Sequence, residues 1–252
     1  MAELTMRVVA VIAGLLAMPA AAQDISSSWT STQMLLNAEK DAWAAPECVK
    51  EGEWAVDCGD APETRKATTS APTPAIDLTY TPSPALRRRN LATFVEKVRA
   101  SDPAGAAGLE AEFAKGDVMD RIGQEMAPMG LRVDNVADAM AAYIDEAWPA
   151  VSGQKLPPSR TRAQALKRQM ERAAGATEAL RGATNATKQE MAESLLIQAA
   201  LVASAAEQAR ASGDRNQMTA MAAVAAQGAQ AMLGIDLRTM SLTEQGLVAV
   251  TD

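Results

Sequence analysis

From residue 83 to residue 234 one pair of signals divides the chain again and again: a Ser, Asp or Asn, often followed by Pro, and some residues later a Gly. Such residues satisfy or terminate the unpaired backbone groups at helix ends, so the pattern dictates helices joined by short turns. Ser83-Pro84 starts a helix to about residue 100, with Leu91, Phe94, Val95 and Val98 on one face. Asp102-Pro103 starts a second, carrying Leu109 and Phe113 as far as Gly116. Asp117 opens a third with Val118, Ile122 and Met126, ended by Pro128 and Gly130. Asp134 or Asn135 caps a fourth, whose Val136, Met140, Tyr143 and Ala147 follow core spacing and which Pro149 and Gly153 stop.

After the Pro157-Pro158 turn, a fifth helix turns Ala163, Leu166, Met170 and Ala174 inward and ends at Gly175. Thr187 and Glu190 read as the capping box of the longest helix, which runs to about Ser212. Met191, Leu195, Leu196, Ile197, Leu201 and Val202 make it apolar on more than one side, the mark of a central helix. Beyond Gly213-Asp214 a last helix lines up Met218, Met221, Ala225, Gly228 and Met232 and ends at Gly234, its small residues suited to a close crossing. The tail through Ser241 and Glu244 adds at most a turn of helix, and no convincing alternating strand follows the linker. The expected fold is all-α, six or seven helices over residues 82–247 with a tail at 248–252.

Ahead of this domain the composition changes. Residues 59–81 gather Pro62, Pro72, Pro74 among Thr, Ser and Ala and read as an extended linker. Residues 23–58 form an arm with Trp29, Trp43 and Trp54 and the only cysteines, Cys48 and Cys58. Residues 1–22 carry the marks of a cleavable signal peptide: Arg7, an uncharged apolar run over 8–18, Pro19, and Ala20-Ala21-Ala22 before the expected cleavage. A periplasmic or secreted location follows, and in that compartment Cys48 and Cys58 are expected to form a disulfide, since their spacing lacks the C-x-x-C geometry of a redox pair. No later stretch stays apolar long enough to span a bilayer.

Three phrases resemble a known family: residues 85–94 (ALRRRNLATF), 130–139 (GLRVDNVADA) and 186–200 (ATKQEMAESLLIQAA). The family is an uncharacterised one of exported bacterial proteins, catalogued only as a domain of unknown function. The resemblance covers residues 82–247 and implies the plan of signal peptide, variable Pro-rich arm and helical domain. It brings no catalytic residue.

Chemistry is constrained by absence. With no His, the commonest general base and metal ligand is missing, and Ser-His-Asp or Cys-His catalysis is excluded. No Gly-rich phosphate loop, zinc set or calcium loop is spelled out, so no cofactor or metal is expected. Carboxylate chemistry survives, with Asp117, Asp120, Asp145 and Glu146 as candidate acids for a hydrolase of envelope polymers. Aromatics make up only 3% of the chain, and Met119, Met126, Met129, Met218, Met221 and Met232 read as core stripes or as an adaptable groove.

Charge is more telling. Residues 134–154 hold four acids and no base, whereas 155–172 hold Lys155, Arg160, Arg162, Lys167, Arg168 and Arg172 against Glu171 alone. Either the two helices pack antiparallel and compensate one another, or the basic face receives an anionic envelope component or acidic partner. Arg87, Arg88 and Arg89 form a second basic cluster. A net charge of −7 argues against general nucleic-acid binding. The leading expectation is a non-catalytic periplasmic interaction protein of unknown ligand, with the carboxylate-dependent hydrolase as the alternative.

Overall fold

Residues 76–250 are described by a computed structural model. The expected signal peptide, the Cys48 and Cys58 pair, the arm and most of the linker lie outside the described residues. Seven helices longer than one turn follow in order: α1 (Pro84–Ser101), α2 (Pro103–Phe113), α3 (Val118–Met126), α4 (Val136–Ser152), α5 (Arg160–Ala176), α6 (Asn185–Ser212) and α7 (Arg215–Leu233). The chain is therefore all-α in class, as its punctuation requires.

Most start signals act as read. Ser83 accepts from the Leu86 N–H, Asp102 from Gly105, Asp117 from Met119 and Asp120, Ser159 from Arg162, and Asp214 from Asn216 and Gln217. Between the two candidates for α4, Asn135 is the cap, bonding the N–H groups of Ala137 and Asp138. Each such cap contributes about 1 kcal/mol by satisfying otherwise unpaired donors.

Four local expectations are corrected. The longest helix is capped by Thr184, whose hydroxyl accepts from the Thr187 N–H, so Thr187 and Glu190 lie inside α6. Pro149 does not stop α4, which continues to Ser152 with Trp148 and Ala150 buried on either side of it; burial there outweighs the lost backbone bond. Gly175 lies within α5, and a single helical turn, Glu178–Arg181, follows. The tail is a β-hairpin, not helix: β1 (Met240–Thr243) pairs antiparallel with β2 (Gly246–Ala249), Met240 opposite Ala249. Its strands are too short for alternation to show. Tertiary bonds hold them, the Trp148 indole donating to the Met240 carbonyl at 2.8 Å and the Gln169 amide pairing with both N–H and C=O of Leu247.

The central helix is α4 rather than α6. Every residue from 136 to 141 is buried, and α4 packs against α5, α6 and α7, whereas α6 leaves much of its second half partly open. Residues 78–80 form a strap across the start of α4: Leu78 accepts from the Val136 N–H at 3.0 Å, and Tyr80 donates its hydroxyl to the Val133 carbonyl at 2.8 Å. On the opposite side, Gly228 of α7 meets Tyr143 of α4, which is 1% exposed. A β-carbon at 228 would lie 2.4 Å from the Tyr143 hydroxyl oxygen, so the close crossing requires Gly there. Met119, Met126 and Met232 are in the core, while Met218 and Met221 are only half-buried.

Gly228→Ala should therefore destabilise the protein by about 1–3 kcal/mol despite the better helix propensity of Ala. Adding Tyr143→Phe should recover part of that loss, as read by urea denaturation; a neutral Gly228→Ala would contradict the close contact.

Candidate interaction surface

Helix α5 is fastened on three sides. Ala163, Leu166, Met170 and Ala174 are buried against the core, as their spacing predicts. Gln164 donates to the carbonyls of Met129 and Gly130 at 3.0 and 2.9 Å. Gly130 has a φ of +71°, and a β-carbon there would come within 2.9 Å of the Gln164 amide and 3.1 Å of the Arg160 guanidinium, so two separate constraints select Gly. Gln169 holds the hairpin on the far flank.

The six basic residues at 155–172 divide by burial. Arg162 is 4% exposed; its guanidinium donates to Asp145 at 2.6 Å and to the Pro157 carbonyl at 2.9 Å, with Glu244 3.7 Å away. Lys167 stands 2.7 Å from Asp138, a carboxylate fully buried in the first turn of α4 that also accepts from the Arg132 N–H. These two cations compensate the acids of α4 and are not available to a partner. Lys155 is exposed and 3.7 Å from Glu207. Arg160, Arg168 and Arg172 are exposed and make no hydrogen bond or ion pair with another described residue. Spaced eight and four residues apart, they span about 18 Å along the outer side of a rigid helix, with Glu171 the single acid among them.

The second basic cluster splits in the same way. Arg87 donates to Glu193 at 2.8 Å and to Asp117 at 2.5 Å, and Glu193, fully buried on α6, also accepts from Asn90 and Gln189. Arg88 and Arg89 are exposed. Sequence reasoning missed Glu193 and Gln189 as a joint; their only sign was a pair of polar residues four apart within an apolar stretch.

The candidate acids do not assemble a paired-carboxylate site among the described residues. Asp117 caps α3, and although burial alone would raise its carboxyl, the Arg87 bond and charge and the Met119 and Asp120 N–H groups hold it below the usual range. Asp120 is exposed. Both oxygens of Asp145 face Arg162. Glu146 reaches solvent, yet the protein around it and the neighbouring Asp145 charge push its carboxyl up to about 7. A groove of about 330 Å³ between α1 and α2, lined by Arg88, Leu91, Val95 and Phe113, does bring Glu96 and Glu110 together, but Arg99 bridges them. A second groove of about 220 Å³, lined by Val151, Arg210, Met218 and Met221, holds no carboxylate. No three His, Cys, Asp or Glu side chains among the described residues converge as metal ligands, and no described helix is long and apolar enough to cross a membrane.

Two outcomes follow from this division of charge. Arg162→Ala leaves Asp145 beside the core without its cation and should cost about 3 kcal/mol, whereas Arg160→Glu, Arg168→Glu and Arg172→Glu together should shift the denaturation midpoint little; comparable losses would contradict the assignment. Glu112, which ties α2 to α3 through Lys115 and Arg121, would be raised by burial alone, but those hydrogen bonds and charges bring its carboxyl below the ordinary value of 4.5. Its stabilisation is present above that value and lost as pH falls through the lowered one. Glu112→Gln should therefore flatten the loss of stability between about pH 5 and 3, by about 1 kcal/mol, and an unchanged acid limb in pH-dependent urea titrations would rule it out.

A family model for a family of unknown function (DUF6683) matches residues 2–250, a span that takes in the arm and linker as well as the helical domain. No curated protein and no solved structure matches the chain.

Proposed function

The chain belongs to this family of unknown function, which supplies neither activity nor ligand, and we propose that it is a non-catalytic interaction protein of the periplasm or extracellular space, exported by a signal peptide cleaved after Ala22. Its ligand-binding face is the outer side of α5, and its partner is an acidic protein or another anionic envelope component. One observation carries this reading: Arg160, Arg168 and Arg172 stand exposed and unpaired among the described residues, on a helix held rigid from three sides, in a chain of net charge −7. A preorganised cationic row loses little side-chain and backbone freedom on binding, and it favours rapid, salt-sensitive encounter with negative charge.

The geometry also restricts the kind of partner. The two bulky apolar residues of α5, Leu166 and Met170, are both spent on the core, so its outer face can attract anions but has no large apolar side chain to insert among acyl chains.

Affinity capture from native periplasmic extract at moderate salt tests the proposal. The expected result is one dominant partner, released by added salt and absent when Arg160, Arg168 and Arg172 are all changed to Glu. Identical retention by the folded charge-reversed variant would remove α5 as the docking face.

A further inference from the structure

We infer that the groove between α1 and α2 is a self-association surface, occupied by α1 of a second copy of this chain running antiparallel to its own. The inference goes beyond the anion-docking role of α5, which contributes no residue to this groove.

The groove follows from how the two helices meet. Asp102 closes α1 through its N–H bond to the Val98 carbonyl and caps α2 with its side chain, so α2 turns back along α1 after a single linking residue. Val95, Val98 and Leu109 are buried, while Leu91 and Phe113 remain half-buried at the lip. An open cleft of about 330 Å³ with an apolar lining is left between the helices.

Charge along the α1 side of the groove identifies the occupant. Arg88, Ala92 and Glu96 are spaced four apart, so they form one stripe along the helix, and all three line the groove. Arg88 is exposed and makes no ion pair with another described residue. At the other end Glu96 and Glu110 share the single cation Arg99, Glu110 at 2.6 Å, which leaves one negative charge in excess. The stripe is thus positive at one end and negative at the other, about 12 Å apart. Laid antiparallel on itself about Ala92, it sets each Arg88 opposite the partner's Glu96 and cancels both excess charges twice over. A parallel arrangement would oppose like charges, and a partner of one sign would satisfy only one end. Such a pairing is the two-fold, self-complementary contact of most homodimers. The exposed Ala92 at its centre lets the helix axes approach to about 8–10 Å. Exposed ion pairs alone contribute little, and Leu91 and Phe113 of each copy add the apolar contact that the charges lack.

Sedimentation equilibrium of the full exported chain, with charge reversals at either end of the stripe, tests this. The natural chain is expected to dimerise reversibly in about the micromolar range and more weakly as salt is added. Arg88→Glu and Glu96→Arg should each weaken the dimer at least about ten-fold, because each creates two like-charge contacts across the two-fold axis. A mixture of the two variants should dimerise about as tightly as the natural chain, since each copy then supplies the sign the other needs; that recovery also shows that both variants fold. Changing Arg160, Arg168 and Arg172 to Glu should leave the dimer unaffected. A natural chain still monomeric at about 100 μM, a dimer indifferent to both reversals, or a mixture no tighter than either variant alone would overturn the inference. Loss of the dimer in the α5 variant would overturn it as well, by moving the contact to α5.

Discussion

A fully buried carboxylate in the first turn of α4 sets the arrangement of the helices around it. Asp138 gains from its position at a helix N-terminus and from the Arg132 N–H, but a charge so far from water also needs a cation, and Lys167 of α5 supplies it at 2.7 Å. Two turns along α4, Asp145 meets Arg162, which precedes Lys167 on α5. Advancing along one helix thus means going back along the other, so the two ion pairs fix α5 as antiparallel to α4 in one register. That register decides which side of α5 turns outward, and the remaining arginines are exposed because the two inward cations are committed.

A second polar joint works from the other side of the domain. Glu193 collects Arg87, Asn90 and Gln189, and Gln189 holds both the N–H and the C=O of Ser83, at 2.9 and 3.0 Å. Helix α1 is docked on α6 by hydrogen bonds that only one relative placement satisfies. Cores built largely from Ala and Leu, as this one is, permit sliding between helices more readily than cores keyed by large aromatics. We regard these buried polar joints as the source of register in a chain with only 3% aromatic residues. Breaking a joint by removing one partner strands the other without water.

Much of the fold was legible because helix ends are encoded locally: a Ser, Asp or Asn with free backbone N–H groups ahead of it speaks for itself. The errors fall where tertiary contact overrides that code. Pro149 stays helical because Trp148 and Ala150 are buried around it, and the 240–249 hairpin forms because Trp148 and Gln169 offer it hydrogen bonds from helices far away in sequence. The candidate surface was half legible. The run of cations at 155–172 was plain, and so was the prospect of compensation by the preceding acidic helix. Which cations would be spent was not, since Lys167, which pairs with Asp138, lies only about 20° around α5 from the outward Arg160. Glu193 was invisible for the opposite reason, being one ordinary helix-forming residue whose partners on α1, Arg87 and Asn90, lie about a hundred positions away.

The central claim is that burial has divided the cations of α5 into two structural ties and an outward row. Side-chain Nε–Hε hydrogen exchange by NMR, in about 0.5 M salt so that surface pairs are screened to a few ångströms, reports on that division residue by residue. The account predicts a slowly exchanging, well-resolved Nε–Hε for Arg162, as for Arg87, and fast exchange with averaged signals for Arg160, Arg168 and Arg172. Equal exchange at all four α5 arginines, or protection of the outer three with Arg162 free, would contradict it.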